Sequence, residues 1–295
     1  MNPSLMLGQQ ILKPVGEYYF DFAVRLHKIA NRRLLLPIKF HRWSAIAPGL
    51  KAANWTTGVS LDELIPDKKR RAEVRRGLQR SAEVPIAKID HDGFFLSQFG
   101  RLNELPLVSE AAFLPRKKHD LWLVATGKGI GVRKTFTGNA DGFLRELEIL
   151  HVLGNAGCNV PKLIRVEPET LSFTTSFIRG RVLREELAVK GALVRDRDMT
   201  SASKLCRESR IREGRRFLSQ VVGAKFVERL WGELVKLHEA GVVWSDIKYG
   251  NVIIEEPSGL PYLIDFEGSL YFPRKGPLFR GLRGRDIRKF NQHFR

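Results

Sequence analysis

The sequence predicts an α+β protein of two lobes, a small antiparallel sheet with one helix followed by a reduced, mainly helical part. Three observations lead there. Between about residue 106 and residue 180, short runs rich in β-branched and aromatic residues alternate with turn residues, and one stretch of helical period interrupts them. Residues 217–240 carry Val227, Leu230, Trp231, Leu234 and Leu237 on one helical face, and Gly241 stands where such a helix stops. The chain has 295 residues, 43% of them apolar, which is enough to bury a sizeable core.

By this reading residues 1–105 form a basic N-terminal extension, 106–180 the sheet-bearing lobe and 181–295 the second lobe. In the extension Tyr18, Tyr19, Phe22, Leu26 and Ile29 recur near helical spacing among Arg25, Lys28, Arg32 and Arg33. That is the pattern of a basic amphipathic helix, packed on the main domain or lying on a lipid or partner surface. Residues 67–80 hold Lys68, Lys69, Arg70, Arg71, Arg75, Arg76 and Arg80 against only Asp67 and Glu73. Such a run is a solvated helix face, or a surface for nucleic acid or anionic lipid.

In the sheet-bearing lobe, residues 121–126 read as an apolar strand, 127–131 (GKGIG) as a turn, and 132–136 (VRKTF) as a second strand carrying Lys134. Asn139 or Asp141 can cap the helix that follows, in which Phe143, Leu144, Leu147 and Leu150 recur and Glu146 lies. Residues 160–166 and 171–178 read as two further strands, with Glu167, Pro168 and Glu169 turning between them. Residues 181–216 are charged and show no legible period. After the long helix, 242–244 lead into a loop with Asp246, residues 252–254 and 262–264 form a hairpin around Pro257, Ser258 and Gly259, and a basic helix begins near residue 284.

Lys plus Arg is 50 against 32 for Asp plus Glu, a formal charge of +18, which favours anionic partners such as phosphates, nucleic acid or acidic lipid surfaces. Cys158 and Cys206 stand far apart without a partner pattern, so neither a disulfide framework nor a metal knuckle is expected, and a reducing, intracellular setting follows. With no secretory pattern and no apolar run long enough to span a bilayer, the expected location is cytoplasmic or peripheral at the inner face of a membrane.

The chemistry concentrates in residues 237–268, which place Asp246, Lys248, Asn251 and Asp265 on loops between short apolar runs. Transfer of a phosphoryl group from ATP needs a carboxylate near the attacking hydroxyl, hard oxygen ligands for Mg²⁺ and a cation held against the phosphates. Asp246 suits the first role. Asn251 and Asp265 suit the second, and the hairpin between them brings their loops side by side. Lys134 suits the third if Glu146 on the next helix pairs with it.

With these residues in order the chain resembles the protein-kinase-like superfamily. WSDIKYGN is similar to the HRDxKxxN catalytic loop, IDFEG to the DFG metal loop, VRK to the VAIK strand, and RELEIL to the helix that carries the pairing Glu. The resemblance implies a bilobed kinase-like fold using ATP and Mg²⁺. It assigns Asp246 as catalytic base, Lys248 as a charge at the γ-phosphate, Asn251 and Asp265 as metal ligands, and Lys134 with Glu146 as the phosphate-positioning pair. Adenine would hang from the backbone near 176–179.

Only about 30 residues follow Asp265. This compact plan is similar to the RIO kinases, to the small kinase of the KEOPS complex and to the lipopolysaccharide core sugar kinases. The departures are Trp244 for the usual His, Ser245 for the Arg that meets a phosphorylated activation loop in many kinases, and Glu267 for the Gly of DFG. Gly127, Gly129 and Gly131 lie too close to Lys134 for a GxGxxG loop, so the phosphate-covering loop is expected before Leu121. The expected function is a kinase acting on a hydroxyl, protein Ser or Thr first. A lipopolysaccharide-type sugar kinase at a membrane surface and an inactive kinase fold that binds nucleic acid or a partner are the alternatives.

Overall fold

The computed structural model describes residues 61–65, 67–89, 119–189, 215, 217–218 and 220–295. The expected amphipathic helix at 18–33, Cys206, most of the charged segment 181–216, and residues 90–118 of the stretch before Leu121 where the phosphate-covering loop is expected lie outside the described residues.

A five-stranded antiparallel sheet forms the first layer: β1 (Glu83–Ile89), β2 (His119–Thr126), β3 (Gly129–Phe136), β4 (Leu163–Glu167) and β5 (Ser172–Ser176), in the spatial order β1-β2-β3-β5-β4. β1 was not foreseen. It belongs to the segment read as an extension, yet it pairs with β2 from Glu83 opposite Thr126 to Ile89 opposite Leu121. A short helix, α1 (Leu61–Leu64), precedes α2 (Lys68–Arg80), whose first turn is capped by Asp67 accepting from Arg70 N at 2.7 Å. α2 is the basic run. Val74 anchors it in an apolar cluster with Leu64, Ile86, Leu123, Ile130 and Phe177, so one face of the run packs on the sheet; Arg70 and Arg71 turn inward to Ile86 O and Ile65 O, while Lys68, Lys69, Arg75, Arg76 and Arg80 stay exposed.

The β2–β3 connection is tighter than the glycines suggest. The turn is confined to Gly127 and Lys128, and β3 starts at Gly129 rather than at 132. Thr126 closes the turn: its Oγ1 donates to Gly129 O at 2.9 Å and accepts from Lys128 N at 3.1 Å. A side chain on Gly131 would strike Thr174 Cγ2 at 2.7 Å, which explains a glycine inside that strand.

α3 (Ala140–Asn155) begins where expected, with Asn139 Oδ1 accepting from Gly142 N at 3.0 Å, and buries Phe143, Leu144, Glu146, Leu147, Ile149, Leu150 and Leu153. The turn between β4 and β5 is a 3₁₀ helix, Pro168–Thr170. After β5 the sheet is left behind, and β6 (Gly180–Val182) joins β8 (Val252–Glu255) and β9 (Pro261–Leu263) in a three-stranded sheet, followed by α4 (Leu183–Val189).

The long helix expected at 217–240 is interrupted. Residues 217–218 and 220–222 are helical, but Gly223 takes φ 76°, and α5 (Ala224–Glu239) starts after it. The chain then makes β7 (Val242–Val243) and β10 (Leu270–Tyr271), which pair with each other. The last helix, α6 (Pro277–Phe294), begins a full two turns earlier than its basic pattern suggests, because Gly276 and Pro277 supply a start. One continuous core runs from Phe136, Phe143 and Phe173 to Leu230, Leu234, Trp244, Phe266 and Phe290, so sheet, α3, α5 and α6 share it.

Candidate active site

Lys134 lies on β3, the middle strand of the sheet, between Leu121 of β2 and Phe173 of β5. An interior strand and 6% exposure leave its ammonium no route to solvent along the sheet edge. Its Nζ instead donates to Glu146 Oε2 at 2.6 Å, lies 3.7 Å from Asp265 Oδ1 and sits 5.0 Å above the Phe136 ring. Burial pulls the Lys134 pKa down, but the charges of Glu146 and Asp265 outweigh it and the net direction is upward, so the ammonium stays charged. Glu146 is itself 4% exposed on the inner face of α3, which makes the pair a buried one.

Asn251 and Asp265 are brought together by strand register. Val252 of β8 stands opposite Leu263 of β9, and one step outward Ile264 N donates to Asn251 O at 3.1 Å. The hairpin predicted from sequence thus does deliver the two loops to one place. Asp265 has φ 63°, a conformation that costs energy for a non-glycine residue and persists only where its surroundings hold it. Phe266 behind it is fully buried, 6.2 Å from the Trp244 ring, and Ser269 closes the turn by bonding Phe266 O and, through its hydroxyl, Trp244 O at 2.6 Å.

Asp246 is half exposed, and its carboxylate accepts from Lys248 Nζ at 2.7 Å and from Asn251 Nδ2 at 3.0 Å. Partial burial pulls its pKa upward. The Lys248 hydrogen bond and charge, with help from Asn251 and Lys289, outweigh that effect and hold it below the ordinary carboxylate value. A single cavity is lined by Lys134, Glu146, Lys248, Asn251 and Asp265, with Leu121, Val132, Phe173 and Ile253 among its apolar walls. Asp246 stands next to it through its contacts with Lys248 and Asn251. All six residues picked out from sequence therefore come together, from four separate segments of the chain.

Two groups that sequence reasoning missed complete the arrangement. Asp286 of α6, 1% exposed, accepts from Trp244 N at 2.7 Å and Ser245 N at 3.0 Å, with His238 Nε2 at 3.3 Å. Lys289, one turn on, donates to Ser245 O. The loop that carries Asp246 is thus gripped at the residue before it, where Ser245 has φ 67°. A signal was present: Asp286 is the sole acid in a basic helix, and it shares a helical face with Phe279, Leu282 and Phe290. Lys289 carries no such mark.

The second is Glu267, read from sequence only as a departure from DFG. Its Oε1 accepts from Asn139 Nδ2 at 2.9 Å, its main-chain carbonyl accepts from Arg145 Nη1 at 2.9 Å, and its Oε2 lies 3.5 Å from His119 Nδ1. No spacing rule would have found these contacts, which join residues more than a hundred positions apart.

No protein-family model matches the chain. Over 123 residues it is 30% identical to the KEOPS complex subunit Bud32 of Pyrococcus abyssi, a match covering 42% of this chain and 42% of that one. The chain is a distant homologue of that subunit. It spans about two-fifths of the length of the curated relative it matches. Among the described residues no helix is long and apolar enough to cross a membrane.

Proposed function

We propose that the chain is an ATP- and Mg²⁺-dependent phosphotransferase that passes the γ-phosphate to a hydroxyl, with protein Ser or Thr as the acceptor class. The observation that carries this reading is the convergence of a buried Lys134–Glu146 pair on Asp265, with Asn251 and Asp246 bonded to each other in the neighbouring loop. The distant likeness to Bud32 supports a kinase-like activity and lends nothing to the lipopolysaccharide alternative.

The donor set fits the cation. Among the described residues no group of three or more His, Cys, Asp or Glu side chains is arranged to hold a metal unaided. Mg²⁺ is commonly bound by one or two protein oxygens together with substrate phosphates and water, which is what Asp265 and Asn251 offer. With Asn251 Nδ2 turned to Asp246, its amide oxygen is the atom left for the metal. Bound Mg²⁺ would neutralise charge on the phosphates of ATP.

The chain's own residues do the rest. Lys134, kept charged and fixed by Glu146, places its ammonium against the phosphates with little freedom left to lose on binding. Asp246, ionised at neutral pH, orients the acceptor hydroxyl and takes its proton as the oxygen attacks. Lys248, bonded to Asp246 across the mouth of the cavity, adds positive charge on the side where the phosphoryl group moves. Leu121, Val132 and Ile253 offer apolar walls for a flat base.

The test is ATP turnover with Mg²⁺ by wild type and Asp246→Ala, offered a protein acceptor and a lipopolysaccharide-core acceptor in parallel. Transfer to protein by wild type alone is expected. Transfer to the sugar alone would replace the acceptor class. Absence of both ATP·Mg²⁺ binding and turnover in a folded wild type would leave a binding-only fold.

A further inference from the structure

The geometry points to Glu267 as a positioning residue that holds the metal loop and the Lys134–Glu146 pair in one register, a built-in strap between the lobes. This inference rests on the phosphotransferase reading given above. Asp265, two residues before Glu267, occupies a positive-φ conformation that its neighbours must enforce. On one side the enforcement comes from the buried Phe266 and the Ser269 turn. On the other it comes from Glu267, whose side chain and carbonyl are held by Asn139 and Arg145 at the start and on the first turns of α3.

What Glu267 grips is informative. Asn139 is the N-cap of α3, and Arg145 is the neighbour of Glu146 on the same helix. His119 opens β2, and its ring lies 5.9 Å from that of Phe136, two residues beyond Lys134 on β3. Every contact of Glu267 therefore lands on an element that carries or borders the ion pair. The strap fixes the helix by its first turn and by the residue beside Glu146, and so sets the 3.7 Å approach of Lys134 Nζ to Asp265 Oδ1. A glycine at this position would provide the carbonyl contact with Arg145 but neither side-chain contact. Ser245 gives the loop before Asp246 no cation with which a phosphorylated segment could fix the lobes instead. The carboxylate of Glu267 supplies that order permanently.

Outer groups that orient metal ligands typically change metal affinity or activity by about 10–100-fold when removed, and Glu267 acts on Asp265 through the backbone of the loop they share. Glu267→Ala is expected to raise the Mg²⁺ concentration for half-maximal turnover and to lower kcat on that scale. Asn139→Asp retains a good N-cap for α3 but replaces the amide donor with a second carboxylate, so it should shift both quantities in the same direction. Combining Asn139→Asp with Glu267→Gln reverses donor and acceptor, and should recover most of the loss. A merely structural role would not show that reciprocal rescue. Amide hydrogen exchange at residues 266–269 in the nucleotide-free protein gives a readout independent of catalysis, and should quicken in each single variant and slow again in the pair. Single variants with wild-type Mg²⁺ dependence and exchange, or a pair no better than the worse single, overturn the strap. A wild type that neither binds nor turns over ATP sinks the phosphotransferase reading, while the exchange data still decide whether the strap exists.

Discussion

Asp286 and Ser245 are 41 positions apart in the chain, and the carboxylate of the first accepts the backbone N–H of the second at 3.0 Å. The same carboxylate takes the N–H of Trp244 at 2.7 Å, so a single buried side chain satisfies two consecutive donors that have no strand or helix to pair with. Asp286→Ala strands both. Each stranded buried donor costs about 1–3 kcal/mol, so chemical denaturation should show a destabilisation of several times RT, with kcat falling further than stability accounts for. Asp286→Asn keeps an acceptor and should lie between.

Lys134→Met leaves the Glu146 carboxylate buried and unpaired. Breaking such a pair from one side costs roughly 3–5 kcal/mol, and ATP·Mg²⁺ affinity should be lost with it. Lys134→Met combined with Glu146→Gln removes the stranded charge and should regain much of the stability while remaining inactive. Denaturation midpoints and nucleotide titration separate the two effects.

The pH profile should report Asp246. Its pKa is held below the ordinary carboxylate value, so the carboxylate is ionised across neutral pH and activity is lost only as pH falls below that ordinary range. Lys248→Met removes the main lowering influence and leaves the upward pull of burial, so the acid limb of kcat/KM against pH should move to higher pH. A profile with an unmoved acid limb would exclude Asp246 as the titrating base.

Gly241 tests the backbone rather than the chemistry. It has φ 81°, and a Cβ there would lie 2.5 Å from Phe272 O, whose own N–H donates back to Gly241 O at 2.8 Å. Gly241→Ala should cost about 1–3 kcal/mol and loosen the β7–β10 pairing that leads into the Asp246 loop. Thermal unfolding measures the first effect, and amide exchange at 242–243 the second.

The legible part of this molecule was the part written in short-range chemistry. Asn139 and Asp141, either of which could cap, announced α3 because a cap needs a particular side chain one step before a periodic run, and the structure chooses Asn139; the 252–264 hairpin announced itself by its turn residues. The convergence of the six candidate residues could be anticipated because phosphate and metal chemistry, if it operates here, restricts residue type. β1 was not, since EVPIAKI carries a proline and its partner strand begins 30 residues later, so nothing local declares the pairing. The break at Gly223 hid within an apolar period that continues on both sides. Glu267 looked like a blemish because its partners, Asn139 and Arg145, lie more than a hundred positions away and meet it only in the folded chain.

The grip of α6 on the Ser245 backbone also sets an order of events during synthesis. The Asp246 loop is made before the carboxylate that fixes it, by 41 residues, or roughly 2–8 s at a translation rate of about 5–20 residues per second. Through that interval the sheet and α3 can already be packed, while Trp244 and Ser245 have no acceptor for their amides. The site is completed last, from the C-terminal side, so a nascent chain can carry a finished ion pair at Lys134 well before it has a loop capable of using it.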